Sequence, residues 1–184
     1  MQQSKEANRE QNRKKVVAAA RAPRGLYTPQ QRIKRDQSVW TLIQGVLAPI
    51  QFLVFLVSLA LVLRYLATGE GQNIAIWSIV IKTITLYIIM ITGCIWEKVV
   101  FDCYLFAPAF FWEDVFSMLV LALHTGYLVA LATDALSVDQ LMYLALAAYA
   151  AYVVNAAQFI RKLRMARLDH ANQQAATAGR EVTA

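Results

Sequence analysis

A few ionisable side chains stand inside stretches that are otherwise apolar, and they are the residues placed to do chemistry. They are the carboxylic acids Glu97, Glu113 and Asp114 and the nitrogen bases Lys82 and His124. Acid–base work is the chemistry this set can support. Other classes lack their residues. There is no GxSxG, no Walker loop and no HExxH. The two cysteines, Cys94 and Cys103, give neither a disulfide framework nor the ligand count of a cysteine metal site. His124 and His170 are placed too differently for bis-histidine haem ligation.

The surroundings explain why the set stands out. The chain has 184 residues, 58% hydrophobic and 16% charged, which nearly excludes a cytosolic globule. Uncharged runs extend over 37–63, 115–133 and 140–160. About 20 apolar residues in helix cross the hydrocarbon of a bilayer. The hydropathy pattern predicts an all-α bundle of four transmembrane helices, at about 40–63, 74–96, 108–133 and 138–160. Pro49 inside the first is expected to bend it, and Pro108 is expected to open the third.

Basic residues set the orientation, because translocating Lys and Arg is disfavoured. The first 36 residues carry ten Lys/Arg against three acids, and the chain after Ile160 carries five against two. Both termini are therefore expected in the cytoplasm, which needs the even number of spans that hydropathy supplies. Residues 1–26 are polar and basic with no apolar h-region, and are expected to form a disordered arm before a membrane domain at 27–168; residues 169–184 are expected to be a disordered tail. Thr28-Pro29-Gln30-Gln31 has capping-box spacing and predicts a short interfacial helix. The basic charge beside the membrane fits anionic lipid headgroups, and no nucleic-acid partner is expected.

Polar residues inside spans usually face the protein interior and are functional candidates by default. Counted inward from the far ends of their spans, Lys82 and His124 reach about the same depth, near the midplane, and Gln51 is also central. A second layer lies in the cytoplasmic third: Glu97, Glu113, Asp114, Asn155, Gln158 and Gln44. Glu113 and His124 fall on one helical stripe but roughly 16 Å apart, too far for a direct proton transfer. Blander readings stand beside these. Lys82 can snorkel or pair, His124 can be a hydrogen-bonded bundle residue, and Asn155 and Gln158 can serve helix packing beside Ala147, Ala148 and Ala151. Glu113 and Asp114 can be a headgroup-level helix start.

The segments QGVLAPIQFLVFLVSLALVLRYLATGEG, IWEKVVF and YLFAPAFFWEDVFSMLVLALHT closely resemble the 3-vinyl bacteriochlorophyllide hydratases of phototrophic bacteria. The similarity covers about residues 27–168. The resemblance implies a hydro-lyase of bacteriochlorophyll biosynthesis in the cytoplasmic or intracytoplasmic photosynthetic membrane. It would add water across the 3-vinyl group of chlorophyllide a or a bacteriochlorin relative, giving the 3-(1-hydroxyethyl) product. No cofactor is implied; magnesium enters only within the tetrapyrrole. Glu113 or Asp114 would suit the general acid, with Glu97 or the other member of the pair holding the water. Phe111 and Trp112 offer stacking surfaces, Lys98 or Arg161 a partner for the propionate, and His124 an axial ligand for the substrate's magnesium. Asn155 and Gln158 complete the candidate substrate pocket. Partners would be the tetrapyrrole and the bilayer, with self-association or contact with other pigment-pathway enzymes left open.

Two other classes compete. A tetrapyrrole-binding or photosystem assembly protein would use His124 and the aromatics but has little need of clustered acids. A proton-coupled transporter would use the acids and Lys82, yet four spans without an internal repeat are few for alternating access.

Overall fold

The computed structural model describes residues 26–182, with side chains described to Leu168 and at Ala171. Helices make up the elements: α1 (Pro29–Gln37), α2 (Val39–Thr68), α3 (Gln72–Phe101), α4 (Phe111–Ala132) and α5 (Val138–Val182). Among the described residues there is no strand. The expected disordered arm lies outside the described residues, save for Leu26.

Local sequence sets the helix ends. Thr28 caps α1 through the predicted capping box: its Oγ1 accepts from Gln31 N–H, and Gln31 Oε1 accepts from Thr28 N–H. Ser137 and Gln140 exchange the same two bonds at the start of α5. Between α2 and α3 the chain reverses over three residues, with Gly69 at φ 72° and Gly71 at φ 82°, a region glycine enters without a Cβ clash.

Four helices are long and apolar enough to cross a membrane: α2, α3, α4 and the Val138–Leu168 part of α5. At 1.5 Å per residue, the 30 residues of α2 and of α3 rise roughly 45 Å, beyond the hydrocarbon thickness, and the 22 of α4 rise roughly 33 Å. α2 continues through Pro49. The proline ring faces the carbonyl of the residue four earlier, which is Gly45, and no side chain crowds that position.

Two boundaries differ from expectation. Pro108 does not open the third span; α4 begins at Phe111, and Pro108 lies in a turn closed by Phe110 N–H to Ala107 O at 2.7 Å. Burial of Ala107 and Phe110 against the bundle end holds that turn in place of a helical one. At the other end of the chain, α5 runs on to Val182 through residues expected to be a tail. Four alanines and two glutamines lie in this stretch, and these residues favour helix when nothing opposes it.

The helices form two antiparallel hairpins, α2–α3 and α4–α5, each packed closely along its length, and the hairpins meet across a narrower seam. Phe55 of α2 joins them, packing on Tyr149 at 5.4 Å and Tyr152 at 4.9 Å between ring centres. At the end of the bundle carrying α1, Tyr27, Trp96, Phe101, Phe110 and Phe159 form an aromatic plug. α1 lies on this plug, tied by Lys34 to Asp102 at 3.0 Å. Large apolar side chains such as Leu53, Trp77 and Ile91 point outward, as lipid contact requires.

Candidate active site

Glu113 and Asp114 occupy the first turn of α4, and consecutive residues of a helix point about 100° apart. The two acids consequently meet different partners. Glu113 faces α5, where Lys162 Nζ donates to its Oε2 at 2.6 Å. Asp114 faces α3 and the α3–α4 connection. Its Oδ2 accepts from Phe106 N–H at 2.7 Å, and its carboxyl is near enough to that of Glu97 for the two to act on one another electrostatically.

Glu97 also accepts from the Ala107 backbone, and no N–H or O–H donor among the described residues reaches its buried Oε2. Both carboxyls are only about 5% exposed. An ionised carboxylate has only acceptors, so two neighbouring buried carboxyls repel one another when both are ionised. Phe106 has φ 60°, an uncommon conformation for a bulky residue, and the bond to Asp114 holds it there. One helical turn deeper, Asn155 Nδ2 donates to Ser117 Oγ at 2.9 Å, and Gln158 Oε1 is buried without a donor among the described residues.

The midplane layer is distinct. Lys82 and His124 are buried close enough to act on one another electrostatically, as their matched depths predict. Lys82 Nζ lies 4.0 Å from the centre of the Tyr152 ring. His124 Nδ1 is 2.8 Å from Val120 O; a carbonyl only accepts, so Nδ1 carries hydrogen there and Nε2 is left without a partner among the described residues. Tyr127 OH and both polar atoms of Gln51 are likewise buried and unpaired among those residues. The Tyr149 hydroxyl is satisfied by Ser58.

Several candidates stand apart from these layers. Lys98 donates to Asp102 O at 2.8 Å and closes the end of α3, while Phe111 and Trp112 are 44% and 66% exposed and point outward. Sequence reading missed Lys162, which lies past the last apolar run. Among the described residues no cluster of His, Cys, Asp and Glu could hold a metal ion.

Known proteins resemble this chain over the residues that build both layers. Residues 27–165 match the family model of the 2-vinyl bacteriochlorophyllide hydratases. The chain belongs to that family. The 2-vinyl bacteriochlorophyllide hydratase of Cereibacter sphaeroides is 67% identical over 146 residues, which cover 79% of this chain and 91% of that protein. The protein of the same name from Rhodobacter capsulatus is 61% identical over 154 residues, covering 84% of this chain and 90% of its own. No solved structure matches. The family match takes in α1 through the Lys162 turn of α5, so the acid pair and the midplane layer both fall inside it.

Proposed function

We propose that this chain is a hydro-lyase of bacteriochlorophyll synthesis that adds water across the vinyl group of a bacteriochlorophyllide-type tetrapyrrole, with Glu97 and Asp114 as its acid–base pair. Family membership supports the reaction. The closeness of the two carboxyls supports the residues.

Hydration is redox-neutral, and its balance is simple. The vinyl π bond breaks, the terminal carbon gains a proton, and the inner carbon beside the macrocycle takes the oxygen of water, which gives up a proton. Positive charge on the inner carbon spreads by conjugation into the ring. The protein therefore supplies a proton on one side and a base for water on the other.

The helix ends divide these roles. Asp114 stands at the N-terminal end of α4, where the helix dipole and the Phe106 N–H favour a negative charge; Glu97 stands near the C-terminal end of α3, where they do not. Glu97 is the proton donor in this reading, and Asp114 holds the water and takes its proton. Glu113, occupied by Lys162, positions α4 against α5. The substrate's flat apolar ring partitions into the bilayer and enters the seam between the hairpins.

The basic flanks support placing both termini in the cytoplasm, with the acid pair at the cytoplasmic side of a bacterial cytoplasmic or intracytoplasmic membrane. The test is direct: membranes holding the protein, incubated with 3-vinyl chlorophyllide a, should yield a product heavier by one water. Pigment that is bound but unchanged would mark a carrier or assembly protein and overturn the proposal.

A further inference from the structure

We infer that Lys82 is the receptor for the carboxylate of the substrate, the tetrapyrrole's propionate, held at mid-membrane while the vinyl group lies at Glu97 and Asp114. This rests on the hydratase reading and adds the pose of the substrate to it.

Lys82 is wholly buried, so its amine does not snorkel to an interface. Its Nζ has no hydrogen-bond partner among the described residues, and it lies over the face of Tyr152. A cation–π contact offsets only part of the cost of taking an ammonium out of water, so an anion entering beside this amine gains a charge-assisted partner that the site otherwise lacks. Among the described residues no acid stands beside it. Glu97, on the same helix, is fifteen residues away, roughly 22 Å of rise. Glu113 and Asp114 are engaged at that same end, and Asp139 accepts from Tyr65 OH beyond the other.

The location selects among anions. Lys82 on α3, His124 on α4 and Tyr152 on α5 bring the two hairpins together along the seam that also holds Glu97 and Asp114. An anion there must be carried on an apolar body that fits between helices, and it must leave its reactive end at the acids. His124 lies ten residues beyond Asp114, about 15 Å of rise, and the Tyr152 ring beneath Lys82 is one turn nearer the acids than Tyr149, which faces His124. A tetrapyrrole carries its vinyl group and its propionate on neighbouring pyrroles, and the long Lys82 side chain, which reaches Tyr152 on the acids' side of Tyr149, shortens the span that the ring must bridge. A ring ligated by His124 through its central magnesium fits less well, because the centre is only half a macrocycle from the vinyl group, which would fall short of the acids.

The experiment compares two substrates that differ only at the carboxylate: 3-vinyl chlorophyllide a as the free acid and as its propionate methyl ester. The wild type should prefer the free acid, with KM lower by roughly 10- to 100-fold, the worth of a charge-assisted bond. Lys82→Met should handle both alike, and Lys82→Arg should keep the preference. Free of pigment, Lys82→Met should melt no lower than the wild type, since it removes a buried amine that has no hydrogen-bond partner among the described residues; a merely structural lysine would show the opposite. Equal use of acid and ester by the wild type overturns the inference, whether or not Lys82→Met folds. A preference kept in Lys82→Met but lost in Lys98→Met or Arg161→Met also overturns it and puts the propionate at the interface. Hydration of neither substrate is a different failure, that of the hydratase reading itself.

Discussion

Lys162 Nζ meets Glu113 Oε2 at 2.6 Å, and this one contact sorts two neighbouring acids into different jobs. Glu113 is tied to a cation on α5, while Asp114 turns toward α3, where it accepts from Phe106 N–H and lies near Glu97. In the proposed mechanism the FFWED segment supplies one acid to the architecture and one to the chemistry.

Amide substitutions should separate those jobs. Glu97→Gln and Asp114→Asn keep the shape of the site but not its transferable proton, so each should lower kcat by roughly 10² to 10⁴. Glu113→Gln should lower kcat by less than about tenfold, because the amide still accepts from Lys162. Single-turnover assays with bound pigment give the comparison, and a Glu113→Gln loss as large as that of Asp114→Asn would reverse the assignment.

The ion pair itself is open to a double-mutant cycle. Lys162 is 24% exposed and Glu113 9%, so the pair is screened on one side only. Coupling of about 1–2 kcal/mol is expected, between exposed and buried pairs. Lys162→Met alone should destabilise more than the Lys162→Met/Glu113→Gln double variant, because it strands a buried carboxylate. Thermal unfolding in detergent reads both, and additive effects would show the pair to be incidental.

Cys103, outside the spans, reports on the acids from nearby. Burial pushes its thiol up from the ordinary value, Glu97 and Asp114 push it further, and Lys98 opposes them. A raised thiol has less thiolate at neutral pH, so alkylation in a Cys94→Ser background should be slow there and rise with a midpoint above the usual 8.5 or so. Replacing both acids by amides should move that midpoint down. No movement would mean that the acids exert no field at Cys103.

Orientation is tested by tags at Lys5 and Ala178. Both should react with cytoplasmic reagents in intact cells, and protection of either would break the four-span topology.

Much of this was legible in the sequence, for identifiable reasons. Apolar length alone marks the four spans, and depth counting pairs Lys82 with His124 because rise per residue is constant. The same counting gathers Glu97, Asp114 and Asn155 into one layer. What it leaves open is rotation about each helix axis. That rotation decides that Glu113 finds Lys162 and Asp114 finds Glu97, although the 100° between consecutive residues already shows that the two acids cannot share a partner. Lys162 was missed because it follows the hydrophobic run, where a lysine reads as a boundary marker. The start of α4 was missed because proline suits a first helical turn and a tight loop equally, and burial of Phe110 decides between them.

The seam between the two hairpins has unlike walls: α3 brings Glu97 and Lys82, and the opposite hairpin brings Asp114, Asn155 and Tyr152. In the proposed mechanism a flat ring held at both ends between such walls would not turn over. Water on Asp114 would then approach the inner vinyl carbon from one side, and that carbon becomes a stereocentre as it takes the oxygen. With the vinyl group also held in one rotamer, the inequality of the two hairpins would give one configuration at the new carbinol carbon.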